Sequence, residues 1–213
     1  MPELVGRDEL VAMLRGAVRE IKENHEILSA LDSHGGDGDH GTSMVRAMEQ
    51  IEKVLEKASP EEIKGLLNDI GWAVMGIDGG ATGPLLGSLF MGMADGVEGK
   101  SSLDASALAA MFAAGLARVQ KRTRAQVGDK TVIDALVPAV DALKEAVEER
   151  GGIAEALERA TDAAQKGALS TKALQARFGR ARNLGERSTG EQDPGATSMA
   201  LIFRGFWKGN VEQ

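Results

Sequence analysis

The stretch Leu31-Asp32-Ser33-His34-Gly35-Gly36-Asp37-Gly38-Asp39-His40-Gly41-Thr42 interrupts one apolar helical stripe and is followed at once by another. Upstream, Leu10, Leu14, Val18, Ile21 and Leu28 recur at spacings of three, four and seven, with Asp8 placed to cap the helix they define. Downstream, Met44, Met48, Ile51 and Leu55 continue the same period, and Gly41-Thr42-Ser43 opens that second helix. Between the two helices, three carboxylates fall within eight residues, with three glycines and no lysine or arginine among them. Anions held this close repel one another unless a cation joins them, and hard oxygen ligands point to Mg²⁺ or Ca²⁺ rather than zinc or copper. Asp-Gly-Ser clusters are also ordinary solvated loop material. An EF-hand is excluded. Counting from Asp37 puts Thr42 where that loop requires glycine and Met48 where it requires a bidentate Glu.

The same period extends along the rest of the chain. Ser59-Pro60-Glu61-Glu62 reads as a capping box ahead of Ile63, Leu66, Leu67 and Ile70. Another apolar segment starts at Pro84, Asp104 opens a helix to about Arg122, and Thr131 opens one through Val140 and Ala142 in which Pro138 bends the axis or sits in the first two turns. Ile153 to about Arg177 reads as one long helix with a break at Gly167, and Asp193-Pro194 caps a last helix to about Trp207. The total is roughly eight helices without a repeat or a flexible linker, so the expectation is a single all-α domain over 1–213. Aromatics make up only 3% of the chain and tyrosine is absent, which is poor material for strands. The nine methionines lie in the stripes and read as core filler.

Bulk properties narrow the function. A chain of 213 residues is long enough to bury roughly 70% of its unfolded surface in one core. Without cysteine, neither disulfides nor thiolate metal sites are available. A net charge of −7 argues against broad nucleic-acid binding. The amino-terminal segment lacks the apolar core of a signal peptide, and no apolar run approaches the length of about 20 residues that crosses a membrane. A soluble cytoplasmic protein is expected.

Three further glycine-bearing breaks complete the pattern. In Gly79-Gly80-Ala81-Thr82-Gly83-Pro84-Leu85, backbone N–H groups can turn toward an anion at the start of the next helix, although a plain helix connection fits equally; the missing Gly-Lys-Ser/Thr rules out a Walker loop. Arg124-Ala125-Gln126-Val127-Gly128-Asp129-Lys130-Thr131 reads by itself as a structural loop and cap. Phe178-Gly179-Arg180-Ala181-Arg182-Asn183-Leu184-Gly185-Glu186-Arg187-Ser188 concentrates arginines shortly before Asp193-Pro194-Gly195-Ala196. One of these arginines can face a phosphate while others pair with acids. Together the breaks describe a Mg²⁺–nucleotide site in which Asp32, Asp37 and Asp39 hold the metal and backbone amides take phosphate oxygens.

Four motifs carry a family resemblance: Leu-Asp-x4-Asp-Gly-Asp-His-Gly, Gly-Gly-Ala-Thr-Gly-Pro-Leu, Val-Gly-Asp-Lys-Thr, and Gly-Arg-Ala…Leu-Gly-Glu-Arg-Ser…Asp-Pro-Gly-Ala. In this order they resemble the DhaL family, the nucleotide-binding subunits of dihydroxyacetone kinase, over essentially the whole chain. The resemblance implies an antiparallel eight-helix barrel carrying ADP or ATP at one end, and a pair of Mg²⁺ ions on Asp32, Asp37 and Asp39. It implies nucleotide contacts at His40, Gly41, Thr42, Ser43, Ala81, Thr82 and Arg180, with Asp193, Pro194 and Gly195 at the adenosine end. Thr123 stands where relatives often have glycine and Val132 where some have methionine, both beside the adenine. Asn183 replaces a common tyrosine and Glu191 a common histidine near the lid over the nucleotide. His40 also fits a simple helix cap, and His25 and His34 read as surface.

The resemblance further implies that no catalytic residue for the acceptor sits on this chain. Dihydroxyacetone and the base would belong to a separate DhaK subunit. The phosphoryl source would be either DhaM, a phosphotransferase-system protein that recharges a resident ADP, or exchanging ATP; a chain of this length leans toward the first. Erythrulose is an alternative ketose, and a nucleotide-loaded regulatory protein is the non-enzymatic alternative. The oligomeric state stays open, a homodimer included.

Overall fold

The computed structural model describes residues 3–57, 62–77 and 80–212. Among them are nine α-helices: α1 (Arg7–Glu23), α2 (His25–Ser33), α3 (His40–Lys57), α4 (Ile63–Met75), α5 (Thr82–Gly96), α6 (Ala105–Gln120), α7 (Ile133–Glu148), α8 (Ile153–Ser170) and α9 (Pro194–Val211). Short 3-10 segments cover Thr171–Ala173 and Arg180–Ser188. Extended pairing among these residues is limited to one bridge, in which Val5 and Leu103 exchange N–H···O bonds of 2.8 Å.

Eight of the helices close a ring. α1 packs on α3, and the succession α3, α4, α5, α6, α7, α8, α9 returns to α1. Contact pairs run in opposite directions along neighbouring helices: Gly92 faces Gly115 while Gly96 faces Met111, and Gly16 faces Gly205 while Gly209 faces Ala12. The result is the antiparallel eight-helix barrel that the motifs implied, with α2 lying across α3 and α9 as a strap. The α1–α9 seam that closes the ring is tight, since a Cβ on Gly16 would stand 2.1 Å from the Gly205 carbonyl oxygen. Glu20, buried on α1, accepts from Lys208 Nζ at 2.6 Å and pairs with Arg204, both on α9. Burial pushes the Glu20 carboxyl up, but the bonds from Lys208 and Arg204 outweigh it and hold the group below its ordinary value. The barrel interior is apolar, centred on Phe112, Phe203 and Phe206, whose ring centroids lie 5.2–6.2 Å apart.

Several boundaries differ from the expected ones, each for a local reason. The first stripe is two helices, because the Asn24 side chain donates to the Glu20 carbonyl at 2.8 Å and takes an acceptor that would have continued α1. Asp8 does not cap α1. Gly6 occupies that position with extended backbone and donates its N–H to Glu9 Oε2 at 2.9 Å, leaving Asp8 in the first turn, where the helix dipole favours it. The last helix of the Ile153 stripe ends at Ser170, where the hydroxyls of Ser170 and Thr171 bind the Gly167 and Ala168 carbonyls. Gly167 is no break; a Cβ there would meet the Asp134 carbonyl oxygen at 2.0 Å, so it marks the closest approach of α8 to α7. That carbonyl lacks a helical donor because the amide four residues on is replaced by Pro138, which lies inside α7. The expected caps hold at Asp104, which accepts from the Ala107 N–H, and at Asp193, which accepts from the Ala196 N–H, each at 2.7 Å. The Ser59-Pro60-Glu61 start lies outside the described residues; α4 opens at Ile63 after Glu62, whose side chain makes no cap bond.

Candidate metal and nucleotide site

All the glycine-bearing breaks come to one end of the barrel. There the loop after α2 meets the amino termini of α3, α5, α7 and α9 around a cavity of about 480 Å³. Its deep wall is apolar, formed by residues such as Leu85, Leu89, Leu136 and Ile202, and its rim carries the polar groups.

The carboxylates sit on this rim. Asp32 ends α2, Asp39 precedes α3, and Asp37 lies in the turn between; their ligand oxygens all lie within 4.8 Å of one another. Gly36 is required inside this turn, since a Cβ there would meet an Asp32 oxygen at 2.2 Å. One Asp32 oxygen accepts from the His40 N–H at 3.3 Å. Asp37 pairs with Arg180 across the mouth. Burial, then the charges of Asp37 and Asp32, push the Asp39 carboxyl above its ordinary value, and the Arg180 charge opposes them. Three acidic oxygens without nitrogen or sulfur ligands form a hard donor set that fits Mg²⁺.

His40 opens α3 and is more than a cap. Its Nε2 is hydrogen-bonded to Ser198 Oγ at 3.1 Å, and its Nδ1 to Thr82 Oγ1 at 3.4 Å. The imidazole thus ties the start of α3 to the starts of α5 and α9, and burial pushes its pKa down against the Asp32 charge.

Of the residues singled out in the sequence, Asp32, Asp39, His40, Ala81, Thr82, Thr123, Val132, Arg180, Asp193, Pro194 and Gly195 line the cavity. Asp37 stands beside it within the carboxylate cluster. Gly41, Thr42 and Ser43 do not line it. Gly41 is packed on the α2 backbone, Thr42 is exposed and Ser43 is buried. The Ser43 N–H donates to the Asp39 carbonyl, so contacts from this trio would come from the Gly41 and Thr42 amides, which no helical carbonyl reaches in a first turn. Gly79 lies outside the described residues, whereas Gly80 lines the cavity. The surface reading holds for exposed His34, although it too lines the cavity; His25 is half-buried, with Nδ1–H donating to the Lys22 carbonyl at 2.8 Å.

Among the cavity residues that the sequence pattern leaves without a role are Ser198 and Lys130. Ser198 lies one helical turn into α9, and nothing local marks it. Lys130 was quoted within a motif but given no role; it is 5% exposed, an unusual state for lysine. A basic residue between Asp129 and Asp134, directly before a helix, was the available signal.

The fold and site define a class: an all-α barrel with a metal-competent acidic cluster at the mouth of an apolar-based cavity. A family model described as the DAK2 domain matches residues 34–208, and the chain belongs to that family, in its DhaL branch. It is 36% identical to the ADP-binding subunit DhaL of the PEP-dependent dihydroxyacetone kinase of Escherichia coli (strain K12), over 94% of this chain and 95% of the relative. It is 35% identical to the corresponding subunit of kinase 1 of Listeria innocua, over 96% of this chain and 98% of the relative. Among solved structures, the dihydroxyacetone kinase from C. freundii in complex with AMP-PNP and Mg²⁺ aligns with a TM-score of 0.72 and 28% identity, covering 93% of this chain and 33% of that one. Among the described residues, no helix is long and apolar enough to cross a membrane.

Proposed function

We propose that this chain is the nucleotide-carrying subunit of a dihydroxyacetone kinase, holding Mg-ADP or Mg-ATP at the barrel mouth and passing phosphate to a ketose bound on a separate DhaK-type subunit. The observation that carries the reading is the convergence of Asp32, Asp37 and Asp39 within 4.8 Å at a cavity of about 480 Å³, which lies in the size range of small-ligand sites. The names of the full-length relatives support the substrate and the nucleotide.

Asp32, Asp37 and Asp39 would hold magnesium, as a pair of ions. Bound there, the metal supplies charge neutralisation to the phosphates and to the group in transfer. The amides at the starts of α3 and α5, with Ala81 and Thr82, present N–H groups and helix-dipole charge to the phosphate chain. Thr123 and Val132 would lie along the adenine, and Asp193, Pro194 and Gly195 at the adenosine end. Arg180, ion-paired with Asp37 at the rim, would turn from that carboxylate to a phosphate oxygen when nucleotide binds.

The PEP-dependent naming of the relatives favours resident ADP recharged by a DhaM-type phosphotransferase protein over exchanging ATP. In the test, small molecules released from the purified protein are identified by mass spectrometry, and kinase activity is assayed with and without DhaK. We expect co-purified ADP and turnover only with the partner. Asp37→Ala should lower that turnover on the order of a thousandfold, since metal charge stabilisation is worth several kcal/mol. Turnover of dihydroxyacetone by the chain alone, or an unaffected Asp37→Ala variant, would overturn the assignment.

A further inference from the structure

Lys130 is a buried cation that the proposed chemistry leaves unused. It sits near the end of the third break, shortly before α7, lines the cavity, and adopts a left-handed backbone with φ of 60°, which costs a non-glycine residue energy and persists only where its surroundings enforce it. The enforcing contacts are visible on both sides. Asp134, itself buried, accepts from the Gly128 N–H at 2.6 Å and the Thr131 N–H at 2.7 Å, which fixes the turn. From that turn the Lys130 ammonium donates to the Thr171 carbonyl at 2.6 Å and to the Glu191 carbonyl at 2.5 Å.

Those two carbonyls belong to segments that further bonds also join. Asp193 N–H donates to Thr171 Oγ1 at 2.8 Å, and Gly190 N–H donates to the Lys172 carbonyl at 2.8 Å. Lys130 therefore fastens the end of α8 and the 189–193 segment to the loop before α7. It also places its positive charge beside Asp193, the residue that caps α9. Burial lowers the Lys130 pKa while Asp193, Glu191 and Asp134 oppose that change, so the ammonium is held within a ring of acids.

We propose that Lys130 is a positioning residue that sets the Glu191–Gly195 segment over the cavity and thereby controls how long the nucleotide stays bound. This rests on the reading of the cavity as a nucleotide site. A carbonyl-to-ammonium clamp suits the role, because one side chain ties two backbone segments at once. The 3-10 segment Arg180–Ser188 lies between the two tied points in the sequence, so loosening one end weakens the hold on the flap that carries Arg180, which keeps the bonds from Ala176 N–H to Ser188 Oγ and from Arg177 N–H to the Asp129 carbonyl.

The test measures release of a fluorescent ADP analogue, with magnesium, from wild type, Lys130→Gly and Lys130→Asn. Both replacements tolerate the left-handed backbone, so the loss of the ammonium is isolated from strain. Release should accelerate about tenfold or more in both variants, the scale of losing charge-assisted hydrogen bonds. Added propylammonium should slow release again in Lys130→Gly, whereas tetramethylammonium, which has no N–H, should not. Unchanged release in two folded variants overturns the inference, and so does equal rescue by the two ammonium ions. Failure of wild type to bind the analogue at all would instead overturn the nucleotide site itself.

Discussion

At the mouth of the barrel, Asp193 does two things with one carboxylate. It accepts from the Ala196 N–H to cap α9, and it sits beside the buried Lys130 ammonium. Part of the residue's surface remains exposed, but its carboxylate is hemmed in by neighbours. Burial pushes its pKa up to about 7; the Asp134 charge adds to this, and the amides of Ala196 and Gly195 and the Lys130 charge oppose it. The folded state therefore prefers the protonated form. This group's contribution to stability is complete below its ordinary value of 3.8 and is lost as pH rises toward about 7. Asn caps a helix as well as Asp and does not titrate. Asp193→Asn should accordingly gain stability relative to wild type as pH is raised from 4 to 8. Urea midpoints measured across that range check it, and parallel curves for the two proteins would contradict it.

At the scale of elements, the α1–α9 seam decides whether the ring closes. A Cβ on Gly16 would lie 2.1 Å from the Gly205 carbonyl oxygen and 3.1 Å from the Gly209 amide nitrogen, both rigid backbone. Gly16→Ala must push two long helices apart and should cost at least about 2 kcal/mol, the scale of an overpacked core. Gly76, at the end of α4, has nothing within 4 Å of its ideal Cβ and a negative φ. Gly76→Ala should stay within about 0.5 kcal/mol of wild type. Denaturant unfolding of the pair separates the seam from a generic glycine effect. The same helices are joined by Glu20 with Arg204 and Lys208, so charge and close packing act on one interface.

At the scale of the whole molecule, the ring is fastened along seven sequential neighbours and one long-range seam, while the mouth holds three repelling carboxylates. A ligand that joins those carboxylates binds only the folded chain. At a hundred times its dissociation constant, Mg-ADP should add about 2.7 kcal/mol, or a rise in Tm of roughly 5–10 °C for a chain of this size. ADP with EDTA in place of magnesium should give far less, because the phosphates would then face the bare acidic cluster. Equal melting temperatures with and without Mg-ADP would refute the linkage.

Legibility follows the range of the interactions. Asp32, Asp37 and Asp39 could be read together because eight residues of chain hold them together whatever the rest does. Helix stripes were legible because their period reflects contacts three and four residues apart. Boundaries failed where a single side chain redirected one hydrogen bond, as Asn24 does at the end of α1. Gly167 was read as a break because its reason for being glycine lies on another helix, at the Asp134 carbonyl.

The sequence by itself determined that the chain is helical, where most of its helices start, and that an acidic turn lies between two of them. Four ordered motifs also identified the family. Only the tertiary structure decided that α9 returns to α1, that Ser198 meets His40 across 158 residues, and that Arg180 reaches Asp37. It alone showed that Lys130 fastens Thr171 and Glu191. Local periodicity records which face of a helix avoids water, but nothing local records which distant backbone will stand opposite that face. That outcome is set by ring closure, in which every helix must fit its two neighbours at once.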